Sequence, residues 1–416
     1  MQKVAVRCCV AGGGPAGVMA GLLLARAGVD VVVLEKHADF FRDFRGDTIH
    51  PSTLQLMQEL GSFEELLKLP HEEAHRLAFQ FGALKGVVAD FDRAKLRIPF
   101  IAFMPQWDFL DFLARRAARY PTFSLKMSAE VTGLIEEGGH IVGVTATTPR
   151  GPLEVRADLV IAADGRHSLV REKSGLAVEE LGAPMDVLWF GLPRRSTDPD
   201  ETMGRFGPGS IFIAINRRDY WQCGYVIAKG SFDAIQARGL PAFQQGVAGM
   251  FPEITDRVGQ LDDWDKIKLL TVQVNRLKRW YRPGLLCIGD AAHAMSPVAG
   301  VGINLAVQDA VAVSNILAAP LAERRLTEDD LAQVQKRREF PMRVTQGFQV
   351  LVQNRMLAPM LGGTLKPPLP MRLLERFPAL RAYPARWLGL GVRPEHIRTA
   401  PRWPEKEPPA EVATRG

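Results

Sequence analysis

Hydrophobic positions first gather at residues 3–10, in a short apolar run closed by glycines, the pattern of a buried strand. Residues 15–27 follow with helical patterning, Pro15 early and Gly28 just beyond the end. The β-branched residues 31–34 predict a second strand, so this stretch has the size of a strand–helix–strand crossover. Helices are expected at 51–60, 63–69 and 106–120, the last with Phe109, Leu110, Leu113 and Ala117 at helical spacing. Residues 79–91 and 96–103 read as strands paired with each other. Residues 124–134, 141–147 and 153–155 read as a small antiparallel meander with Gly138-Gly139 in one turn, and 159–163 as a short buried strand.

The texture changes between residues 187 and 274. Strand-like runs at 187–191, 210–216, 220–227 and 267–274 surround one helical stretch near 241–250, as if a separate sheet were inserted into the first domain. A buried strand at 284–288 and helices at 301–317, 326–348 and on to about 361 come next. The Pro-rich remainder is expected to wrap the surface.

Composition is that of an ordinary globular protein, with 47% hydrophobic and 24% charged residues in 416. The cysteines Cys8, Cys9, Cys223 and Cys287 sit in apolar, strand-like contexts without metal spacing. Buried thiols are expected, and they suit a cytoplasmic location. Cys8 and Cys9 should point to opposite sides of their strand. The first apolar run reads as a strand rather than a secretory leader. No apolar stretch reads as long enough to span a bilayer.

The net charge of +6 is uneven. Residues 366–402 hold eight basic residues against Glu375 and Glu395, so the rest is neutral and no nucleic-acid partner is expected. Leu, Phe, Trp and Pro interleave that basic segment. It reads as a solvated wrap, with peripheral membrane contact as the sharper alternative.

Three motifs carry chemistry. Gly12-Gly13-Gly14-Pro15-Ala16-Gly17 is a G-x-G-x-x-G between strand and helix. Gly12 permits the tight turn, Gly14 lets a pyrophosphate approach the backbone, and Gly17 lets the helix pack closely. The helix start favours an anion. Glu35, with Lys36 beside it, stands eighteen residues past Gly17, where the fingerprint wants a ribose partner. The second motif is Asp164-Gly165-Arg166-His167-Ser168, after a strand. The third is Gly289-Asp290-Ala291-Ala292-His293, followed by Pro297 and then Gly300-Val301-Gly302-Ile303-Asn304. Asp290 is placed to accept from a polyol hydroxyl, and Gly300 and Gly302 open the backbone at a second helix start. Asp164 can brace the loop that carries the first site.

With these three ordered motifs the sequence resembles the flavoprotein aromatic hydroxylases of the para-hydroxybenzoate hydroxylase type, a family that includes ubiquinone-biosynthesis hydroxylases. The resemblance covers roughly residues 1–350. It implies an α/β fold with a Rossmann-like FAD-binding domain of the GR2 type, a parallel sheet plus the small antiparallel meander. Residues 1–73, 104–183 and 277–350 would form that discontinuous domain. Residues 74–103 and 184–276 would form a mainly antiparallel substrate domain, and 351–416 a C-terminal helical region and wrap.

The resemblance further implies FAD contacts at Asp290, Pro297, Gly302, Ile303 and Asn304, and a shared FAD and NAD(P)H role for Asp164 and Gly165, with Arg166 or Arg171. Arg42 and Arg45 fall in the family's arginine loop, Gln106 matches a glutamine that contacts FAD, and the Val131 backbone matches the adenine position. Plain readings stand beside these. Arg42 and Arg45 could be surface arginines, and Gln106 a helix-start residue. His293 fits a packed core histidine. His50 could face the flavin's reactive edge or be a turn histidine before Pro51, and Arg166, His167 and Arg171 could be a solvated cluster.

In the implied mechanism NADH or NADPH reduces FAD. O2 then gives a flavin C4a-hydroperoxide that hydroxylates or epoxidises an aromatic or otherwise electron-rich substrate. His50 and Pro297 are the residues expected nearest the chemistry. The substrate, aromatic or lipophilic, should lie between flavin and inserted sheet, among Trp189, Phe190, Phe206, Phe212, Tyr220, Trp221 and Tyr225, with Phe212, Trp221 and Tyr225 as candidate contacts, although such residues are also ordinary core. Arg205, Arg217 or Arg218 could bind a substrate carboxylate, with surface placement the plainer reading. The competing readings are a reductase or dehydrogenase on the same fold and a non-enzymatic flavin-binding membrane-surface protein. A halogenase is disfavoured because W-x-W-x-I-P is missing from the sequence.

Overall fold

Residues 8–11 read Cys-Cys-Val-Ala and all four are fully buried, as a parallel strand covered on both faces requires. In the computed structural model, which describes residues 2–41, 48–364 and 367–403, this strand spans Gln2–Ala11 and runs into the helix Pro15–Arg26. Val31–Leu34 returns parallel beside it, with Val33 opposite Val10. On the other side Gly151–Ala162 also runs parallel, with Ile161 opposite Val10. Leu285–Cys287 and Phe123–Lys126 extend the parallel part outward. Cys8 and Cys9 fall on opposite faces, and burial pushes both thiols up, Cys9 to about 12. They are packing residues rather than nucleophiles.

The meander differs from the expected one. Its strands are Glu130–Glu137, His140–Thr148 and the first half of Gly151–Ala162. Phe123–Lys126 belongs instead to the parallel sheet, opposite Val31–Leu34. The expected strands at 153–155 and 159–163 are one strand, because Arg156 and Asp158 face outward without breaking the backbone ladder.

The helical stretch Val298–Ala322 is long and apolar enough to cross a membrane, which corrects the expectation that no such stretch exists. Here it is the central core helix, packed on Pro15–Arg26 and largely buried.

The second sheet has seven strands in the order Lys268–Leu270, Met185–Pro193, Tyr220–Ala228, Ser210–Asn216, Met203–Gly207, Arg76–Phe81 and Leu84–Asp90. All pairings are antiparallel except Met203–Gly207 with Arg76–Phe81. The expected pairing of 79–91 with 96–103 is replaced. Arg76–Phe81 turns back at Gly82 onto Leu84–Asp90, whereas Ile101–Phe103 pairs with Thr48–Ile49 and Glu72–Ala74. Helices Phe232–Ala237 and Leu240–Met250 cover one face of this sheet.

The C-terminal region is more ordered than a plain wrap. Helices Leu369–Arg376 and Ala382–Leu390 lead into an extended strap that crosses the first domain. The strap is fastened by Ile397 N–H to Glu59 at 2.8 Å, Asn315 Nδ2 to His396 O at 2.8 Å, and Arg402 N–H to Arg26 O at 2.9 Å. Glu395 on the strap is buried against Arg337 at 2.6 Å and Arg338 at 3.4 Å.

Candidate functional site

Gly12 has φ +106°, and a Cβ there would stand 2.4 Å from Ala163 O and 2.8 Å from Asp164 Cα. A Cβ on Gly17 would stand 1.9 Å from Gly12 O. A Cβ on Gly289 would meet Ala16 Cβ at 3.1 Å and Ala306 Cβ at 3.3 Å. The three motifs are therefore packed against one another, Gly12 and Gly17 on backbone and Gly289 on the methyl groups of Ala16 and Ala306. Gly12 abuts the Asp164 turn, and the Gly289–Ala291 turn abuts the first turn of the fingerprint helix. By contrast, Gly14, Gly165 and Gly302 have no atom within 4 Å on their Cβ sides. Gly14 and Gly302 lie at helix starts, next to first-turn amides that have no partner within their own helices. Pro15 takes the first helical position, where a missing N–H costs nothing.

Glu35 is buried, and its carboxylate accepts from Gly13 N–H at 2.9 Å and His37 N–H at 3.0 Å. That fixes it beside the glycine turn as an acceptor for hydroxyl groups. Lys36 beside it is exposed. Val131 lies on the meander strand opposite Ala146, and Gln106 is the first residue of the helix Gln106–Ala117. Arg42 and Arg45 lie outside the described residues.

Asp164 braces its own loop. It accepts from Ser168 Oγ at 2.5 Å and Val170 N–H at 3.1 Å, and Ser168 caps the helix Leu169–Ser174. Burial raises its carboxyl above the ordinary value, an effect these hydrogen bonds partly offset. Arg171 is no solvated residue. It donates to Ala291 O at 3.2 Å and Arg166 O at 2.6 Å, tying the Asp-Gly loop to the Gly-Asp turn. Arg166 reaches Asp290 Oδ2 at 3.5 Å, whereas His167 is exposed.

Behind the Gly-Asp turn lies a buried polar chain. Asp309 accepts from Gly289 N–H at 3.0 Å, pairs with His293 Nε2 at 2.7 Å, and accepts from Arg338 Nε at 3.0 Å. Burial would raise the Asp309 carboxyl, but His293 and Arg338 hold it below the usual carboxylate range. The His293 ring lies 4.9 Å from that of Trp280, tilted to it by 45°, and His293 is a packed core histidine.

The turn before the central helix is strained. Pro297 leads into Val298–Gly300, where Ala299 takes φ +68° and Gly300 φ +61°. A Cβ on Gly300 would stand 2.6 Å from Thr48 Oγ1, which donates to Gly300 O at 2.7 Å. Ile303 is buried in the first turn of the helix. The Asn304 side chain is spent on the protein. Its Oδ1 accepts from His50 N–H at 3.0 Å and Thr53 Oγ1 at 2.6 Å, and its Nδ2 donates to Thr48 O at 3.2 Å. His50 is buried, with Nδ1 2.8 Å from Leu388 O. That contact needs the proton on Nδ1 and leaves Nε2 an acceptor, buried without a partner among the described residues. Burial lowers the His50 pKa to about 4.

The expected substrate contacts are corrected. Phe212, Trp221 and Tyr225 all point at the outer helices. Trp221 Nε1 donates to Asp198 at 2.9 Å, and Asp198 is paired with buried Arg257. Phe212 packs on Phe251 at 5.6 Å, and Tyr225 on Phe243 at 5.5 Å. The cause is strand alternation: directly paired residues share a face, and Phe212 is paired with Tyr225. The opposite face carries the rows Trp189–Gly224–Ile213 and Gly191–Gln222–Ile215. Trp189 lies across Gly224, and its indole Nε1 is buried without a partner among the described residues. Trp189 and Ile213 pack on the same apolar cluster as Val298 of the strained turn.

Arg217 is buried, against the expectation of a surface arginine. Its Nε donates to Gln222 Oε1 at 2.9 Å, and its guanidinium lies 5.8 Å from the Phe103 ring. Phe103 pairs with Thr48, whose hydroxyl reaches Gly300. Arg205 is likewise buried, on Glu253, and Arg218 is exposed on Glu72. Carrying the alternation from Trp189 to Gln222 through the registered pairs would have found this face. Sequence alone does not give the register.

The residues present fit FAD. Two open helix starts suit anionic or polarised oxygens, and Glu35 and Asp290 suit sugar and polyol hydroxyls. The glycine sides facing that space are empty of protein atoms. Residues 5–347 match the model of the FAD binding domain family. The chain belongs to that family. It is 32% identical to 6-methylpretetramide 4-monooxygenase of Streptomyces rimosus over 376 residues, 90% of each chain. It is 25% identical to 3-demethoxyubiquinol 3-hydroxylase of Escherichia coli K12, over 76% of this chain and 81% of the relative. In fold it is similar to p-nitrophenol 4-monooxygenase of Pseudomonas putida DLL-E4, with a TM-score of 0.71 at 19% identity, over 94% of this chain and 95% of that one. The protein is an FAD-dependent monooxygenase of the class A fold, acting on a small molecule with O2, as the motifs led us to expect.

Proposed function

We propose that this monooxygenase uses NADH or NADPH to hydroxylate or epoxidise an aromatic or otherwise electron-rich substrate held between the central-helix turn and the inner face of the inserted sheet. One observation carries the reading: the packing of Gly12, Asp164 and Gly289 into a single backbone-lined site whose open side lies at two helix starts. When bound, FAD would supply the oxygen chemistry, taking a hydride from the nicotinamide and passing one oxygen atom of O2 to the substrate and the other to water. The first-turn amides at Gly14, Ala16 and Gly17 would hold the pyrophosphate. Glu35 would take ribose hydroxyls, with Gln106 and the Val131 backbone at the adenosine side. Asp290 would accept from the ribityl chain. The backbone at Pro297, Gly300, Gly302, Ile303 and Asn304 would face the isoalloxazine, with His50 a neutral acceptor beside it.

On the substrate side, Trp189, Gln222 and Arg217 replace Phe212, Trp221 and Tyr225. The compound named for the 32% identical relative supports a ring-bearing, lipophilic substrate. The test is a substrate screen that follows NADH and NADPH oxidation together with O2 uptake, and product mass by spectrometry. A gain of one oxygen atom that disappears without O2 is the expected result. Equal product without O2 would favour a reductase or dehydrogenase.

A further inference from the structure

Among the described residues, nine of the thirteen large hydrophobic side chains that stand exposed lie between residues 340 and 383. Phe340, Val344, Phe348 and Leu351 form one stripe on the outer side of the helix Glu328–Val352, at spacings of four, four and three. Leu369, Phe377 and Tyr383 project from the two short helices that follow, at 68%, 52% and 73% exposure. The pieces form one surface. Phe348 meets Trp387 at 4.4 Å, the Arg393 guanidinium sits 4.4 Å over Phe340, and Arg381 Nε ties the short helices through Leu374 O at 2.9 Å. In the helix Leu369–Arg376 only Met371 is buried. An exposed apolar concentration of this kind marks a surface that meets something.

Charge identifies what it meets. Residues 340–393 contain eight basic residues and one acidic residue, Glu375. Arg343, Arg355, Arg372, Arg376, Arg386 and Arg393 are all exposed. A second copy of this chain would bring the same cations against each other. An anionic lipid surface supplies both the counter-charge and an apolar phase for the leucine and phenylalanine side chains.

We propose that this face docks the enzyme on an anionic membrane surface, with Leu369, Leu373 and Phe377 entering the interface and the arginines contacting headgroups. The proposal does not depend on the substrate reading.

The test is sedimentation of the FAD-loaded protein with vesicles of phosphatidylglycerol and phosphatidylcholine, compared with phosphatidylcholine alone. Partition onto the anionic vesicles is expected to be about tenfold higher and to fall as salt is added. Leu369→Glu/Phe377→Glu and, separately, Arg372→Glu/Arg376→Glu should each remove most of that gain while leaving flavin content and substrate-free NAD(P)H oxidation unchanged. If the first variant folds poorly, Tyr383→Glu, at the most exposed of these positions, takes its place. No binding to anionic vesicles at low salt, equal binding to both vesicle types, or binding untouched by these substitutions would overturn the proposal. So would a lipid-free dimer in sedimentation velocity that Leu369→Glu/Phe377→Glu dissociates.

Discussion

The nucleotide turns and the inserted sheet are built in opposite ways. At the turns the chain works by what it leaves out: Gly12 and Gly17 are packed so tightly against neighbouring backbone that a side chain has no room, and a Cβ on Gly289, at φ +57°, would stand 3.1 Å from the Ala16 methyl. On the sheet the chain works by what it points. Phe212 and Tyr225 lie one residue from Ile213 and Gly224 yet serve the opposite face. A turn made of backbone is specific because no alternative fits. A sheet face is specific only once its register is set.

The largest effect should follow from filling the tightest turn. Gly17→Ala would place a Cβ 1.9 Å from Gly12 O, a backbone atom that cannot rotate away. We expect a loss of about 4 kcal/mol or more and colourless protein, read by chemical denaturation and by flavin absorbance. Gly14→Ala sharpens the point, since no protein atom lies within 4 Å of its Cβ side. There, stability should hold within about 1 kcal/mol while FAD affinity falls about tenfold. Equal destabilisation by the two substitutions would show that the turn is not open toward a ligand.

Next in size is the polar chain behind the Gly-Asp turn. Arg338 is buried between Asp309 and Glu395 and so joins the flavin-side turn to the C-terminal strap. Arg338→Met leaves two buried carboxylates short of a cation. A loss of about 3 kcal/mol is expected from the melting curve, with the strap becoming protease-sensitive. An unchanged melting temperature would mean that Arg337 alone suffices for Glu395.

Legibility followed the same division. The first crossover, Glu35, the glycine fingerprint and the two glycine–acid motifs could be read from sequence because each depends on residue type at a fixed spacing. The seven-stranded sheet was legible as strands and not as faces. Trp189, Phe212, Trp221 and Tyr225 drew notice alike by being aromatic, with no sign of which face each served, and Arg217 read as a surface residue. The false pairing of 79–91 with 96–103 arose likewise, because Ile101–Phe103 is apolar enough for either partner and only the three-stranded sheet with Thr48–Ile49 decides it. The strap was unreadable for a related reason. Glu395 looks like any charged tail residue until Arg337 and Arg338 arrive from fifty-odd positions away.

His50 gives a pH-dependent test of the turn it shares with Asn304. Its folded pKa is about 4 against an ordinary 6.5, because burial disfavours the imidazolium. Above the ordinary value both folded and unfolded chains hold it neutral. Between the two values the unfolded chain takes a proton that the folded chain refuses, so stability falls as pH falls. The loss should reach roughly 2 kcal/mol at pH 5. His50→Asn keeps a donor for Leu388 O and should flatten that part of the urea-midpoint profile. A profile identical to that of the unsubstituted protein would place the proton uptake elsewhere.

The smallest effect separates the two sheet faces most cleanly. Trp221→Phe removes the donor to Asp198 on the outer face, where Arg257 remains to hold the carboxylate. It should cost about 1 to 2 kcal/mol of stability and leave KM alone. Trp189→Phe removes an indole N–H that has no protein partner among the described residues, so folding loses little. If that N–H meets substrate, KM should rise about tenfold with stability unchanged. The two tryptophans sit on neighbouring strands of one sheet, and their substitutions should therefore exchange phenotypes completely. If Trp189→Phe destabilises and Trp221→Phe raises KM, the substrate lies on the helix-covered face and the assignment of the two sides is reversed.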